Sequence, residues 1–324
     1  MRKMSQAPMS LLMLLVLVFG GASAAFGQGA SSPAATPAAS GSTVPITTVV
    51  TVLGPKYSAP PALAKSDIIV YQDKKKVEIS SWIPAQGDKA NLQLAILIDD
   101  ASTTDFAIQL NDLRAFINAQ PATTAVGVFY ASNGTVQPVS QFSTDHAAVA
   151  KTVRIPLGYW GAYSSIYFSI QDLIKRWPVT PGSRREILLF ADGIDRLHGD
   201  YPTSPDVDPT VAKAQTAGVI IHSIYVTGVG HISRSFFRVS LGQSNLSQLT
   251  DGTGGYAFFQ GFQTPVAIAP FLDQFNMVLK NQYWLTFDAN RSTKPKGSLQ
   301  RFRVTSEIKD LDIAAPTSVF VPIL

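Results

Sequence analysis

Leu92-Gln93-Leu94-Ala95-Ile96-Leu97-Ile98-Asp99-Asp100-Ala101-Ser102-Thr103-Thr104 decides how this chain is read. Residues 92–98 are apolar except for Gln93, the composition of a strand covered on both sheet faces. The run ends in carboxylates and hydroxyls, and in open α/β sheets ligands bind in the crevice beyond the carboxyl ends of the strands. Oxygen donors of this kind suit hard divalent cations such as Mg²⁺. A second apolar run, 187–190, leads into Ala191-Asp192-Gly193 and brings another carboxylate to a strand end.

Because Asp99 and Asp100 are adjacent, the frame of the site needs a choice. Starting from Asp99, the second and fourth following positions are Ala101 and Thr103, and Ala101 has no hydroxyl. Starting from Asp100 they are Ser102 and Thr104, so the donor set is read from Asp100. Asp99 and Asp105 are then additional negative charges beside the cation or the next helix. Such residues also have a plain structural use, since Asp and Ser at strand ends often cap the helix that follows.

Outward from this junction, strands alternate with helical spacing. Helices are expected over 105–119, 145–153, 165–177, 210–217, 241–249 and 265–279, and strands over 92–98, 125–130, 136–142, 186–190, 219–226 and 255–259. The alternation predicts an α/β domain with a doubly wound, Rossmann-like parallel sheet over 89–281. On either side the pattern is strand-like: 46–53 and a hairpin of 67–71 with 76–82 before it, and 283–288, 300–305 and 318–322 after it. Neither flank, 45–88 or 282–324, is long enough for its own core. They are expected to pair as one small β-sandwich with the α/β domain inserted between them.

Residues 1–24 read as a secretory leader, with Arg2 and Lys3, an apolar stretch over 11–19 and Ala22-Ser23-Ala24 at the cleavage positions. The apolar stretch is about half of the roughly 20 residues that span a bilayer. Residues 25–44, rich in Ala, Ser, Gly, Pro and Thr, read as a flexible linker. The expected product is secreted, periplasmic or cell-surface, with no membrane span after cleavage. Losing Arg2 and Lys3 takes the 26 basic residues to 24 against 22 acidic ones, which is no footprint for nucleic acid. The chain has no cysteine, so disulfides, thiolate metal sites and cysteine nucleophiles are excluded.

The pattern Asp100-x-Ser102-x-Thr104 with a distant Asp192-Gly193 resembles the metal-ion-dependent adhesion site of von Willebrand factor type A domains. The likeness extends to Gly161-Ala162-Tyr163-Ser164-Ser165-Ile166-Tyr167, with Ser164 where Thr is usual, and to Ile187-Leu188-Leu189-Phe190-Ala191-Asp192-Gly193, with Ala191 in place of Thr. Thr250-Asp251-Gly252-Thr253-Gly254-Gly255 is similar to the family's later Thr-Gly-Gly turn. The segments 63–73 and 79–82, with 283–287 at the far end, resemble the VWFA-related domain proteins described from Acidobacteria. The resemblance implies a type A fold and a metal site of Asp100, Ser102, Thr104, Ser164 and Asp192 holding Mg²⁺, or Mn²⁺ or Ca²⁺. It also implies a partner protein that offers an acidic side chain to the ion.

The loop before Ser164 carries Tyr159, Trp160 and Tyr163, and Trp160 and Tyr163 are read as partner contacts because exposed aromatics are enriched at binding hot spots. No His-Glu-x-x-His and no Gly-x-Ser-x-Gly elbow is present, and Gly228-Val229-Gly230 lacks the third glycine of a dinucleotide loop. The expected function is therefore a non-enzymatic adhesion module. The alternatives are a structural envelope or matrix protein with a degenerate site, and a metal-assisted hydrolase using Asp100, Asp192 and His198.

Overall fold

The computed structural model describes residues 43–161, 163–198, 204–259 and 261–323. The expected leader, all but the last two residues of the expected linker, and Ala162 lie outside the described residues. Four strands come first: β1 (Thr43–Leu53), β2 (Ile68–Gln72), β3 (Lys75–Val77) and β4 (Ile79–Pro84). The return strand expected over 76–82 is split at Glu78. β3 pairs with β2, while β4 leaves for another sheet, and the Glu78 carbonyl accepts the Asp288 amide at 2.9 Å where the chain crosses.

The central domain contributes β5 (Leu92–Asp99), β6 (Thr124–Ser132), β7 (Thr135–Ser143), β8 (Arg184–Ala191), β9 (Val219–Tyr225) and β10 (Ala257–Phe259). They form one sheet in the order β10-β9-β8-β5-β6-β7, parallel throughout except for the antiparallel edge strand β7. Its helices are α1 (Leu110–Asn118), α2 (His146–Lys151), α3 (Ile166–Arg176), α4 (Val207–Ala217), α5 (Phe236–Thr253) and α6 (Ala269–Lys280).

β5 lies in the middle of this sheet and is buried along its whole length. Its side chains alternate between two cores, as the two-residue period of a strand requires. Leu92, Leu94, Ile96 and Ile98 join α1, α2 and α6 on one face, while Ala95 and Leu97 join α3, α4 and α5 on the other. The sheet is thus doubly wound, with both faces covered.

Two helices depart most from their sequence patterns. The stretch read as 105–119 opens as a 3-10 turn, Thr104–Gln109, before α1 begins. The helix read over 241–249 is the 18-residue α5. Gly242, Asn245, Thr250 and Thr253 occupy much of its buried face, so hydrophobic spacing alone under-reports its length. It ends where Gly254 turns left-handed at φ 83, the usual helix stop.

The last strands are β11 (Gln282–Asn290), β12 (Ser298–Ser306), β13 (Asp312–Ala314) and β14 (Ser318–Val321). With the first four they build two antiparallel sheets, β13-β1-β11-β4 and β14-β12-β2-β3. Each sheet mixes strands from both ends of the sequence. Val50, Val52, Val70, Leu285, Phe287, Val304 and Val321 fill the one core between them, which makes the pair a small β-sandwich. Arg184 ties it to the central domain: its guanidinium bonds the Leu279 carbonyl at 3.0 Å, the Ala90 carbonyl at 2.8 Å and the Gln282 side chain.

Candidate functional site

The turns after β5 and β9 interlock at the carboxyl rim of the sheet. The Thr103 amide bonds the Thr227 carbonyl at 2.8 Å, the Val229 amide bonds the Ala101 carbonyl at 2.8 Å, and Ser102 bridges to Gly228. From the other side, the Tyr159 amide bonds the Asp100 carbonyl at 3.2 Å. Backbone pairing therefore fixes the candidate residues before their side chains are considered.

Asp100 faces Arg154. The guanidinium donates to both carboxylate oxygens, at 2.7 and 2.8 Å, and the Leu157 amide adds a third bond at 3.1 Å. Arg154 lies over the Tyr130 ring, 3.7 Å from its centroid, so its flat cation is held on three sides. The hydrogen bond to Asp100 raises the Arg154 pKa against a smaller opposing effect of burial. Burial pushes the Tyr130 hydroxyl up to about 12.

Asp192 faces Arg196. The guanidinium meets its two oxygens at 3.2 and 2.6 Å, the Ile194 amide donates to Oδ1 at 3.0 Å, and the Ser233 hydroxyl donates to Oδ2 at 3.0 Å. The same guanidinium lies 3.7 Å from Asp99 Oδ2, and its side chain is almost wholly buried. Burial disfavours the charge on Arg196, and the Asp192 and Asp99 carboxylates more than offset it. Asp99 is pushed up to about 6, by burial first, with Arg196 opposing and Asp192 and Asp100 reinforcing. Gly228 is required here, because a Cβ would strike Arg196 Nη2 and Asp192 Oδ2. Trp160 covers the assembly, its ring 5.8 Å from the Arg196 guanidinium and pressed against Gly230.

The sequence frame set Asp100 beside Asp192. In the structure Asp99 and Asp192 share one guanidinium, and Asp100 is engaged by another. Ser102 is buried with an unpartnered hydroxyl, as is the Thr103 hydroxyl, while Thr104 is exposed. Ser164 is buried just ahead of α3, its amide on the Gly161 carbonyl at 3.1 Å, and the next residue, Ser165, caps that helix. Trp160 is half-buried and Tyr163 is exposed.

A divalent ion at this rim needs open carboxylate edges. Every carboxylate oxygen of Asp100 and Asp192 already accepts from a guanidinium, and Ala101 and Ala191 add no donor. As arranged, the strand-end set does not fit a divalent ion. A different group, Asp195, His198 and Asp206, brings carboxylate and imidazole atoms within 4.8 Å of one another, with both Asp195 oxygens also accepting hydrogen bonds, Oδ1 from the Leu197 and His198 amides and Oδ2 from the Ser204 hydroxyl. His198 Nδ1 lies 3.1 Å from Asp195 and 3.2 Å from Asp206, and the Ser204 hydroxyl donates to Asp195 at 2.6 Å. The hydrogen bond to Asp195 raises the His198 pKa, and burial raises that of Asp206.

Arg154, Arg196, Ser233 and Asp206 escaped the sequence reading. Only Arg196 left a trace, four residues after Asp192, and outside a helix that spacing carries no weight.

The fold is a doubly wound sheet with one antiparallel edge strand and carboxylates at the carboxyl ends of its strands, the type A-like fold that the sequence resemblance implies. No protein-family model and no curated protein sequence matches the chain. Among solved structures it is similar to BatB from Bacteroides thetaiotaomicron, at 12% identity and TM-score 0.43 over 59% of this chain and 100% of that one. It is similar to a von Willebrand factor type A protein from Catenulispora acidiphila, at 9% identity and TM-score 0.43 over 87% of this chain and 75% of that one. A third likeness is to the manganese-loaded TRAP protein of Plasmodium vivax, at 12% identity and TM-score 0.40 over 78% of this chain and 98% of that one. These likenesses are remote, and the fold assignment rests on the strand order of this chain.

Proposed function

We propose that the chain is a non-enzymatic, exported protein-binding module that holds its partner at the carboxyl rim of the parallel sheet. One observation carries the reading. Beside the arginine-filled crevice lies a groove of about 700 Å³ whose wall includes Ile108, Phe236, Phe262 and Val266. All four are exposed, Val266 at 93% and Phe236 at 71%. Contiguous exposed apolar surface of this kind marks interaction sites. Exposed Arg234 and Asp105 line the same groove, so a partner segment with an apolar side chain flanked by charges of both signs suits it. Tyr159 and Tyr163, also exposed, extend the rim. Among the described residues no helix is long and apolar enough to cross a membrane.

The test is capture of partners from the native envelope by wild type and by a Phe236→Ser/Val266→Asp variant, with and without chelator. The reading expects capture that survives EDTA and is lost in the variant at an unchanged melting temperature. Equal capture by both proteins defeats it.

A second reading keeps the divalent ion and moves it to Asp195, His198 and Asp206, whose donor set suits one. It expects Mn²⁺ to raise the melting temperature of wild type and to leave His198→Ala unmoved. A metal response that is the same in both proteins removes it.

A further inference from the structure

We infer that Arg196 is the resident cation of the strand-end crevice, and that Asp99 and Asp192 with the Ser102 and Ser233 hydroxyls form a latent divalent-cation site which this arginine closes. The inference does not depend on what the rim binds.

Four observations support it. The Arg196 guanidinium sits within 4 Å of two carboxylates from neighbouring strands, 2.6 Å from Asp192 and 3.7 Å from Asp99. It also bonds the Ser233 hydroxyl, at 3.2 Å. Its side chain is 4% exposed, so it is a fixed part of the site rather than a surface ion pair. Ser102, bridged to the Gly228 that touches both Asp192 and Arg196, keeps a buried hydroxyl with no partner. An unpartnered buried hydroxyl is costly in a protein interior, and the backbone bridge brings Ser102 to the strand turn that carries Gly228.

Charge decides the outcome. Two buried carboxylates need a cation nearby, and a tethered guanidinium supplies one without the dehydration that a divalent ion undergoes. With Arg196 in place an incoming ion would meet a fixed positive charge within a few ångströms. Without it, the two carboxylates and two hydroxyls become an all-oxygen set of the hard kind that Mg²⁺ and Mn²⁺ accept.

The test uses the full chain carrying His198→Ala, which disables the separate Asp195–His198–Asp206 group, and titrates it with Mn²⁺ alone in a calorimeter. With Arg196 present, no Mn²⁺ binding that depends on Asp192 is expected. Arg196→Ala should bind Mn²⁺ at least about tenfold tighter, since a like charge at this distance opposes a second cation by more than that factor. Adding Asp192→Asn should abolish the gain. Arg196→Lys keeps the charge and should stay as blind to Mn²⁺ as the parent. If Arg196→Ala does not fold, Mn²⁺ in the refolding buffer should restore it. The inference is overturned by Asp192-dependent Mn²⁺ binding with Arg196 in place, or by a folded Arg196→Ala with no gain. It is equally overturned by Mn²⁺ binding in Arg196→Lys that equals the alanine variant, or by failure of Mn²⁺ to rescue refolding.

Discussion

Arg154 holds Asp100 through two hydrogen bonds, at 2.7 and 2.8 Å, and so joins the end of β5 to the segment that follows α2. The carboxylate is buried, while the arginine side chain is 35% exposed. Arg154→Ala leaves that carboxylate with the Leu157 amide as its remaining side-chain partner, and it also uncovers the Tyr130 ring. The expected loss is roughly 1–3 kcal/mol, the cost of an unsatisfied buried polar group, kept modest because water can reach the vacated side. Arg154→Lys should recover only part of it, because an ammonium cannot make the parallel pair of bonds or stack on the ring. Denaturant midpoints of the three proteins decide this, and a lysine variant as stable as wild type would remove the geometric argument.

The same pair shows where sequence reading ended. The central fold was legible because β5 and β8 are written as near-continuous apolar runs, and because Asp192-Gly193 and Asp99-Asp100 stand at their ends. The flanking strands were legible as β-branched and aromatic runs, though Glu78 gave no sign that its strand changes sheets. The site was legible as a place and as a set of oxygens. Its electrostatics were not, because Arg154 lies 54 residues from Asp100, and Ser233 lies 41 from Asp192. Hydroxyl spacing argued for Asp100 as the first carboxylate. The tertiary fold turns Asp99 toward Asp192 and gives Asp100 its own arginine, and no local pattern encodes that choice.

His222 on β9 and Glu186 on β8 meet at 2.9 Å with both side chains fully buried. The Tyr256 amide donates to His222 Nδ1 at 3.1 Å, so Nδ1 carries no proton, and Nε2–H is the donor to Glu186. Long-range ¹⁵N–¹H correlation is expected to show His222 as the Nε2–H tautomer, and an Nδ1–H signature would contradict the assignment. His222→Ala should cost about 1.5–3 kcal/mol, the range for a hydrogen bond to a charged group, because it leaves the buried Glu186 carboxylate with Arg184, 3.9 Å away, as its neighbouring partner. Thermal unfolding of the variant measures that cost, and a loss under about 1 kcal/mol, the size of a single ordinary hydrogen bond, would mean the pair is not a stabilising unit.

Asp99 ties stability to pH. Its folded pKa of about 6 lies above the ordinary aspartate value, so the folded state binds this proton more tightly than the unfolded chain does. The group therefore costs the most stability above about pH 6, and the cost fades as pH falls through 6 towards 4. Relative to Asp99→Asn, wild type should gain on the order of 2 kcal/mol between pH 7 and pH 4. The difference between the two denaturation curves across that range isolates the effect from the other carboxylates. Parallel curves would show that Asp99 does not titrate in the window.

Gly193 sets the turn that follows Asp192, and two kinds of constraint meet there. Its φ is +70, and its carbonyl accepts the Tyr167 hydroxyl at 2.6 Å and the Asn245 side chain at 3.3 Å. A Cβ would press on the Gly242 carbonyl of α5 and come within 2.6 Å of Leu246 Cγ. Gly193→Ala thus combines the left-handed penalty of about 1–2 kcal/mol with overpacking of about 1–3 kcal/mol against backbone that has no room to retreat. Gly87 supplies the control: its φ is +55, but a Cβ there meets nothing within 4 Å. Gly87→Ala should cost only the conformational part, about 1 kcal/mol. Chemical denaturation of the two variants separates the contributions. Equal losses would show that the close approach of α5 to the Asp192 turn adds no constraint, and that the turn is held by its backbone conformation alone.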